Sequence, residues 1–160
     1  MKISILSKKE STVLMHSIRA KWPEDIIPKI KNFKIYEIEE GKFFIQAENF
    51  FAIQTRESVI LPFLGKLELL DHFPSVYVDM GAIKFVCNGA KVMRPGITSF
   101  DNFKKDGIVI VKDQTYKKAL AVGIALADSE IASSMATGYV IDNLHYVSDK
   151  FWEASKSIAP

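Results

Sequence analysis

The chain has 160 residues, of which 48% are hydrophobic and 25% are charged, and its formal net charge is +2. This composition predicts a globular protein with a hydrophobic core, in one domain or two small ones, and the net charge is too small to indicate a partner. Its single cysteine, Cys87, excludes an internal disulfide and fits a reducing compartment. The apolar residues 3–6 are too few for a signal peptide, and the apolar run at 119–127 is far below the ~20 residues that span a bilayer. We therefore expect a cytoplasmic protein without membrane contact.

The first half of the chain predicts three helices. Residues 8–22 carry apolar side chains at helical spacing, which is typical of an amphipathic helix. Residues 24–31 predict a second, brief helix that a proline interrupts. A third helix is expected over residues 64–72, with Leu64 and residues 67–70 facing inward.

Between these helices, alternating apolar residues and short turns predict an antiparallel meander. Its phenylalanines could stack bases, but their alternating spacing favours a core position. Residues 1–73 are thus expected to form a small α+β module that packs firmly on the rest of the chain, with the joint at Phe73-Pro74. The predicted strands cover residues 34–39, 42–47, 50–56 and 59–62, and the phenylalanines are Phe43, Phe44, Phe50 and Phe51.

The second half predicts a small closed or half-closed β-barrel. Residues 108–111 and 119–126 are continuous apolar runs, which suit strands inside a barrel. A short helix is expected at 129–135 and a last long strand at 139–147. We expect this domain to span residues 74–153 and to leave a tail at 154–160.

The start of this second domain predicts a strand end, a short helix and a glycine turn. Asp79 can cap the helix by accepting from its first amides. Asn88-Gly89 ends the helix, because glycine takes a positive φ at little cost. The apolar face of the helix is expected to consist of Ala82, Phe85 and Val86.

Cations surround this glycine turn. Lys84, Lys91 and Arg94 are the charged residues of the segment, and a second turn, Pro95-Gly96, follows them. Free backbone amides among cations are a plausible seat for a phosphate. The wider charge pattern agrees, because residues 84–118 hold eight basic residues against three acidic ones. Residues 121–153 hold five acidic residues against one basic. This acidic segment is expected not to contact a polyanion.

The same stretch resembles the start of a PUA domain, an RNA-binding fold. The matching pieces are Val78-Asp79, Gly81-Ala82, Gly89-Ala90 and Pro95-Gly96-Ile97, with the strands at 106–111 and 119–123 downstream. Residues 79–85 and Asn143-Leu144-His145-Tyr146 resemble the malignant-T-cell-amplified-sequence family of translation factors and the amino-terminal part of ligatin. The resemblance covers roughly residues 58–152 and implies a PUA-type β pseudobarrel, which the family closes with a tryptophan that Trp152 resembles.

This resemblance implies a non-catalytic RNA-binding protein of translation. Expected partners are RNA, either transfer RNA at its acceptor end or ribosomal RNA of the small subunit, and a translation-factor protein such as density-regulated protein. The expected steps are reinitiation or subunit recycling. The alternatives are an accessory RNA-binding subunit for an RNA-modification enzyme and a protein–protein adaptor, including one of ribosome biogenesis. The expected RNA-binding residues are Lys84, Asn88, Gly89, Ala90, Lys91, Arg94, Pro95 and Gly96.

The sequence does not predict an enzyme or a cofactor. The three histidines are scattered and have no cysteine or histidine partners at metal-binding spacing. Cys87 has no base near it in sequence and suits a small buried apolar position. Neither a phosphate loop nor a dinucleotide-binding fingerprint occurs. We therefore expect no catalytic residue, no metal and no cofactor. The histidines are His16, His72 and His145.

Overall fold

Two sheets, one in each half of the chain, organise the protein. The computed structural model describes residues 1–23, 26–27 and 32–158. The strands of the first sheet pair in chain order and are all antiparallel. They are β1 (Lys2–Ile5), β2 (Lys34–Glu39), β3 (Lys42–Ala47), β4 (Phe50–Gln54) and β5 (Ile60–Pro62).

The meander β2 to β5 confirms the prediction, whereas β1 is not predicted. All four side chains of β1 are exposed, and the strand is held by its backbone pairing with β2. Phe44, Phe50 and Phe51 are buried, whereas Phe43, also predicted in the core, is only half-buried. Phe50 and Phe51 face opposite sides of β4, so this strand is covered on both sides. They pack edge to face with neighbouring rings, Phe44 lying 5.6 Å from Phe51 between ring centroids.

Helix α1 (Lys8–Lys21) packs on this sheet and confirms the first predicted helix. It begins with a capping box, in which Ser7 Oγ accepts from Glu10 N at 3.1 Å and Glu10 Oε1 accepts from Ser7 N at 3.0 Å. Its apolar side buries Ile18 and ends at Trp22, whose indole donates to Ile60 O at 3.1 Å. The brief helix predicted at 24–31 falls outside the described residues except for 26–27.

Helix α2 (Leu67–Leu70) is shorter than predicted. Leu64 lies before it in a turn, where Lys66 N donates to Phe63 O at 3.1 Å. Leu64 and Leu70 are buried, but Leu67 is 63% exposed, so the expectation that it faces inward is wrong. A helix of one turn can bury only one of its sides, and Leu70 occupies that side.

The second sheet is mixed and curls into a nearly closed pseudobarrel. Along it the strands run β7-β11-β10-β9-β6-β8, and only the β6–β9 pair is parallel. It encloses a separate buried cluster that includes Val78, Val109 and Ala121. This arrangement confirms the predicted α+β fold with a PUA-type β pseudobarrel. The strands, here given their bounds, are β6 (Ser75–Val78), β7 (Val92–Met93), β8 (Ile97–Phe100), β9 (Ile108–Asp113), β10 (Ala119–Ala125) and β11 (Tyr139–Tyr146).

Three short helices accompany the pseudobarrel: α3 (Ile83–Val86), α4 (Ser129–Ser134) and α5 (Lys150–Ser155). The first two are predicted, but α5 lies where the sequence predicts the end of the domain and a tail. Asp149 starts α5 by accepting from Trp152 N at 2.8 Å. The ring of Trp152, expected to close the pseudobarrel, packs on Phe63 of the first half, 6.0 Å between centroids.

A common core joins the two halves. One buried cluster contains Phe44 and Leu61 of the first sheet together with Ile110, Val122 and Phe151 of the second half. His145 of β11 adds a polar link, since its buried Nε2 accepts from Leu64 N at 3.1 Å. The halves are therefore packed through apolar surface along a shared face.

We predict that limited proteolysis near Phe73-Pro74 is slow. Phe73 is buried against Trp22, 5.4 Å between ring centroids, and Pro74 O accepts from Ile110 N at 2.9 Å. Proteases need several exposed, flexible residues, which this joint does not offer. Digestion with proteinase K, followed by intact-mass spectrometry, tests the prediction. A rapid, clean cut within residues 71–75 that releases two stable fragments contradicts it, and the chain in urea serves as the digestible control.

Candidate nucleic-acid interface

The segment that leads into the predicted RNA site, residues 79–89, folds as the sequence predicts. Asp79 Oδ1 accepts from Ala82 N at 3.0 Å and starts a short 3-10 turn that continues into α3. Asp79 N donates to Gly96 O at 3.0 Å, which ties this helix to the Pro-Gly turn. Gly89 ends the helical segment with φ at +89°, confirming the predicted left-handed turn.

The amides of the glycine turn are already hydrogen-bonded, so the expectation that they are free to bind a phosphate is wrong. Asn88 N and Ala90 N both donate to Phe85 O, at 3.1 and 3.0 Å, and Gly89 N donates to Val86 O at 3.0 Å. The carbonyls at the end of α3 need these donors, because a helix leaves its last carbonyls without partners. The backbone of this turn therefore has few donors left for a phosphate.

Two side chains of strand β11 contact the glycine turn. The side-chain amide of Asn143 donates to Val86 O at 3.0 Å and to Ala90 O at 3.1 Å. Gly89 lies against the ring of Tyr146, so closely that a Cβ on Gly89 would be 3.0 Å from Tyr146 Cε1. Asn143 therefore binds both ends of the turn, and the ring of Tyr146 packs against its glycine.

Of the three predicted cations, two have exposed side chains and one is hydrogen-bonded to backbone carbonyls. Lys84 and Lys91 are exposed, on the two sides of the glycine turn. Arg94 is half-buried, and its Nε donates to Ala132 O at 2.7 Å while Nη1 donates to Ile97 O at 3.2 Å. The sequence groups Arg94 with the two lysines as a cation for a phosphate, but in the structure its guanidinium joins α4 to β8.

The β9–β10 hairpin brings one further cation, Lys118, near Cys87 at the end of α3. Burial raises the pKa of the Cys87 thiol. The positive charge of Lys118 lies close enough to oppose this rise but does not cancel it. Burial also raises the pKa of Asp113, but hydrogen bonds from the amides of residues 115–118 outweigh it, and the pKa lies below its ordinary value. The carboxylate of Asp113 therefore fixes the turn that carries Lys118. Lys112 does not add to these cations. Its side chain is mostly buried, and its ammonium lies 3.9 Å from Asp71 Oδ1.

Two exposed aromatic rings flank the turn and were not predicted there. Phe85 is 58% exposed, so its expected place on the apolar face of α3 is wrong; Val86 takes that place and is buried. Tyr139 is 54% exposed. Lys84 Nζ lies 5.1 Å from the Phe85 ring centroid, and Lys91 Nζ lies 5.5 Å from that of Tyr139. Apolar periodicity gives no signal for such rings, because a one-turn helix is too short to have a period.

Within residues 1–23, 26–27 and 32–158, no three histidine, cysteine, aspartate or glutamate side chains form a group that could hold a metal ion. In the same residues, none of the helices is long and apolar enough to cross a membrane.

Comparison with known proteins agrees with the geometry of this half. Residues 74–147 match the family model of the PUA domain. Malignant T-cell-amplified sequence 2 of Homo sapiens is 33% identical over 141 residues, which cover 82% of this chain and 76% of that protein. Translation machinery-associated protein 20 of Saccharomyces cerevisiae is 28% identical over 143 residues, covering 82% and 77%.

A solved structure extends the likeness to both halves. The crystal structure of a hypothetical protein of Pyrococcus horikoshii superposes with a TM-score of 0.79 at 28% identity, covering 96% of this chain and 99% of that one. Both sheets of the chain therefore belong to one architecture that occurs elsewhere.

Proposed function

The chain belongs to the family of PUA-domain proteins that includes the malignant T-cell-amplified sequence proteins, and from this premise we propose that it binds RNA in translation without catalysing a reaction. Its target would be transfer RNA at the acceptor end or ribosomal RNA of the small subunit, and the step would be reinitiation or subunit recycling. The name of the yeast relative, translation machinery-associated protein 20, supports this setting and a protein partner within it.

The observation that carries the proposal is the pair of exposed lysines beside the anchored turn. Lys84 and Lys91 are available to phosphates, whereas Arg94 is committed to the protein's own carbonyls. Lysine contacts to phosphates release counterions and supply affinity without reading the sequence. Among the other expected RNA-binding residues, Asn88 and Pro95 are exposed and Gly96 is half-buried.

The corresponding experiment is a salt titration of RNA binding. For ~3–5 neutralised phosphates on single-stranded RNA, the slope of log affinity against log salt should be roughly −2 to −3.5. Lys84→Glu with Lys91→Glu should flatten this slope by about 1.4 and weaken binding by on the order of tenfold or more at ~0.15 M salt. Both side chains are exposed, so the fold should survive, as circular dichroism can verify.

The matched control is Lys8→Glu with Lys9→Glu, which reverses two exposed charges on the first turn of α1. We expect it to bind transfer RNA and purified small subunits nearly as well as the wild type. If this control is the more damaging pair, the RNA site lies elsewhere. Sedimentation with small ribosomal subunits tests the translation setting, and an absence of co-sedimentation at low salt contradicts it.

A further inference from the structure

The two exposed rings and their lysines lie on the segments before and after the glycine turn and on β11, which pairs with β7; together they are here called the aromatic rim (Lys84, Phe85, Lys91, Met93 and Tyr139). Phe85 O accepts from Ala90 N at 3.0 Å, and Lys91 follows directly in the chain. Lys91 covers Tyr139, which pairs in register with Met93, itself 47% exposed. The rim therefore alternates cations with apolar surface around the glycine turn.

The two rings share one arrangement, since each is more than half exposed. A single exposed apolar side chain is ordinary in a folded protein, but here two exposed rings each contact an ammonium group. Cation–ring contacts at exposed sites are weak, and the centroid distances of 5.1 and 5.5 Å are near the outer limit of such contacts. A ligand that offers each ammonium an anion and each ring a flat partner can displace both contacts.

Single-stranded RNA has this chemistry. Its unpaired bases expose flat π faces, and its phosphates follow at the spacing of one nucleotide, whereas a duplex hides its bases in the stack. We propose that Phe85 and Tyr139 stack unpaired nucleobases while Lys84 and Lys91 move to the adjoining phosphates, so that the site selects single-stranded over double-stranded RNA. The proposal rests on the proposed function and names the form of RNA that the site takes.

The lysines also distinguish RNA from a protein partner as the occupant. Both lysines of the rim are exposed, and each contacts an aromatic ring. Tyr139 lies within residues 121–153, the acidic segment expected to stay off a polyanion, so a contact between its ring and RNA would be an exception to that expectation. An apolar protein surface would leave both ammonium groups without an anion, whereas a polynucleotide supplies one for each.

The test compares a 12-nucleotide oligouridylate with a blunt 12-base-pair RNA duplex by fluorescence anisotropy. The variants are Phe85→Ala, Tyr139→Ala and Phe85→Trp, with Val13→Ala as control, since Val13 is 63% exposed on α1 of the first half. We expect the wild type to favour the single strand by about tenfold or more. Each alanine variant should lose about 5- to 150-fold in affinity for it, and Phe85→Trp should restore binding.

The salt slope separates stacking from charge. Because stacking releases no counterions, the alanine variants should keep the slope of the wild type, while Lys84→Ala and Lys91→Ala should each flatten it by about 0.7. If the wild type binds both RNAs and the alanine variants match it, the stacking role is overturned and the proposed function stands. If the wild type binds transfer RNA but neither 12-mer at low salt, the stacking role is overturned and the proposed function stands. If it binds none of the three RNAs, both are overturned.

Discussion

Replacing His145 with alanine is expected to lower the free energy of unfolding by about 3–5 kcal/mol. The ring is fully buried, stacks on Phe63 with centroids 5.7 Å apart and meets the edge of Phe151 at 5.6 Å. The amide of Leu64 can only donate, so Nε2 is unprotonated and the ring proton sits on Nδ1, facing Asp149 Oδ2 at 2.7 Å. The substitution leaves a cavity and a buried amide without an acceptor.

Urea denaturation followed by circular dichroism measures this loss. His145→Gln should be less damaging, because its side-chain carbonyl can take the place of Nε2 and accept from Leu64 N. His16→Ala, on the exposed side of α1, should change the free energy of unfolding by less than about 0.5 kcal/mol. A His145→Ala protein within ~1 kcal/mol of the wild type would mean that the two halves do not depend on this link.

Gly89→Val is expected to destabilise the protein by on the order of 1–3 kcal/mol. Two causes act together: φ is +89°, where a β-branched residue fits poorly, and the new Cβ would be 3.0 Å from the ring of Tyr146. Gly89→Ala should show a smaller loss of the same sign. Thermal unfolding provides the measurement.

Gly96→Ala is the matched control for Gly89. A Cβ at Gly96 would meet only the Ala82 side chain, at an ordinary 3.6 Å. Its melting temperature should therefore stay close to that of the wild type. If Gly89→Val melted at the wild-type temperature, the turn would have to relax without cost, and the tight contact with Tyr146 could not be a constraint on it.

Local patterns predicted most of the secondary structure. The strands at 34–54 alternate and are separated by two-residue turns, and helix α1 has fourteen residues over which its period can be read. The PUA resemblance supplied the pseudobarrel. Patterns were insufficient where an element is short: β1 has four exposed side chains, and α3 has one turn, in which Phe85 and Val86 cannot be assigned to core or solvent.

The site was predicted less well because its determinants are distant in sequence. Arg94 looks free until Ala132, 38 residues away, brings its carbonyl to the guanidinium. His145 looks isolated until Leu64, 81 residues away, brings its amide. The turn amides look available unless the carbonyls of α3 are counted against them. Only the positions of Lys84, Lys91 and Gly89 could be anticipated from their own neighbourhood.

The pair of hydrogen bonds from Asn143 to the glycine turn has a kinetic meaning for recognition. A loop that becomes ordered only in a complex loses conformational freedom on association, and this loss subtracts from affinity. Here the turn between Val86 and Ala90 loses that freedom when the chain folds, since one amide group holds both its ends. A ligand therefore meets a preorganised surface, and different RNAs should be distinguished by how long they stay bound more than by how fast they arrive.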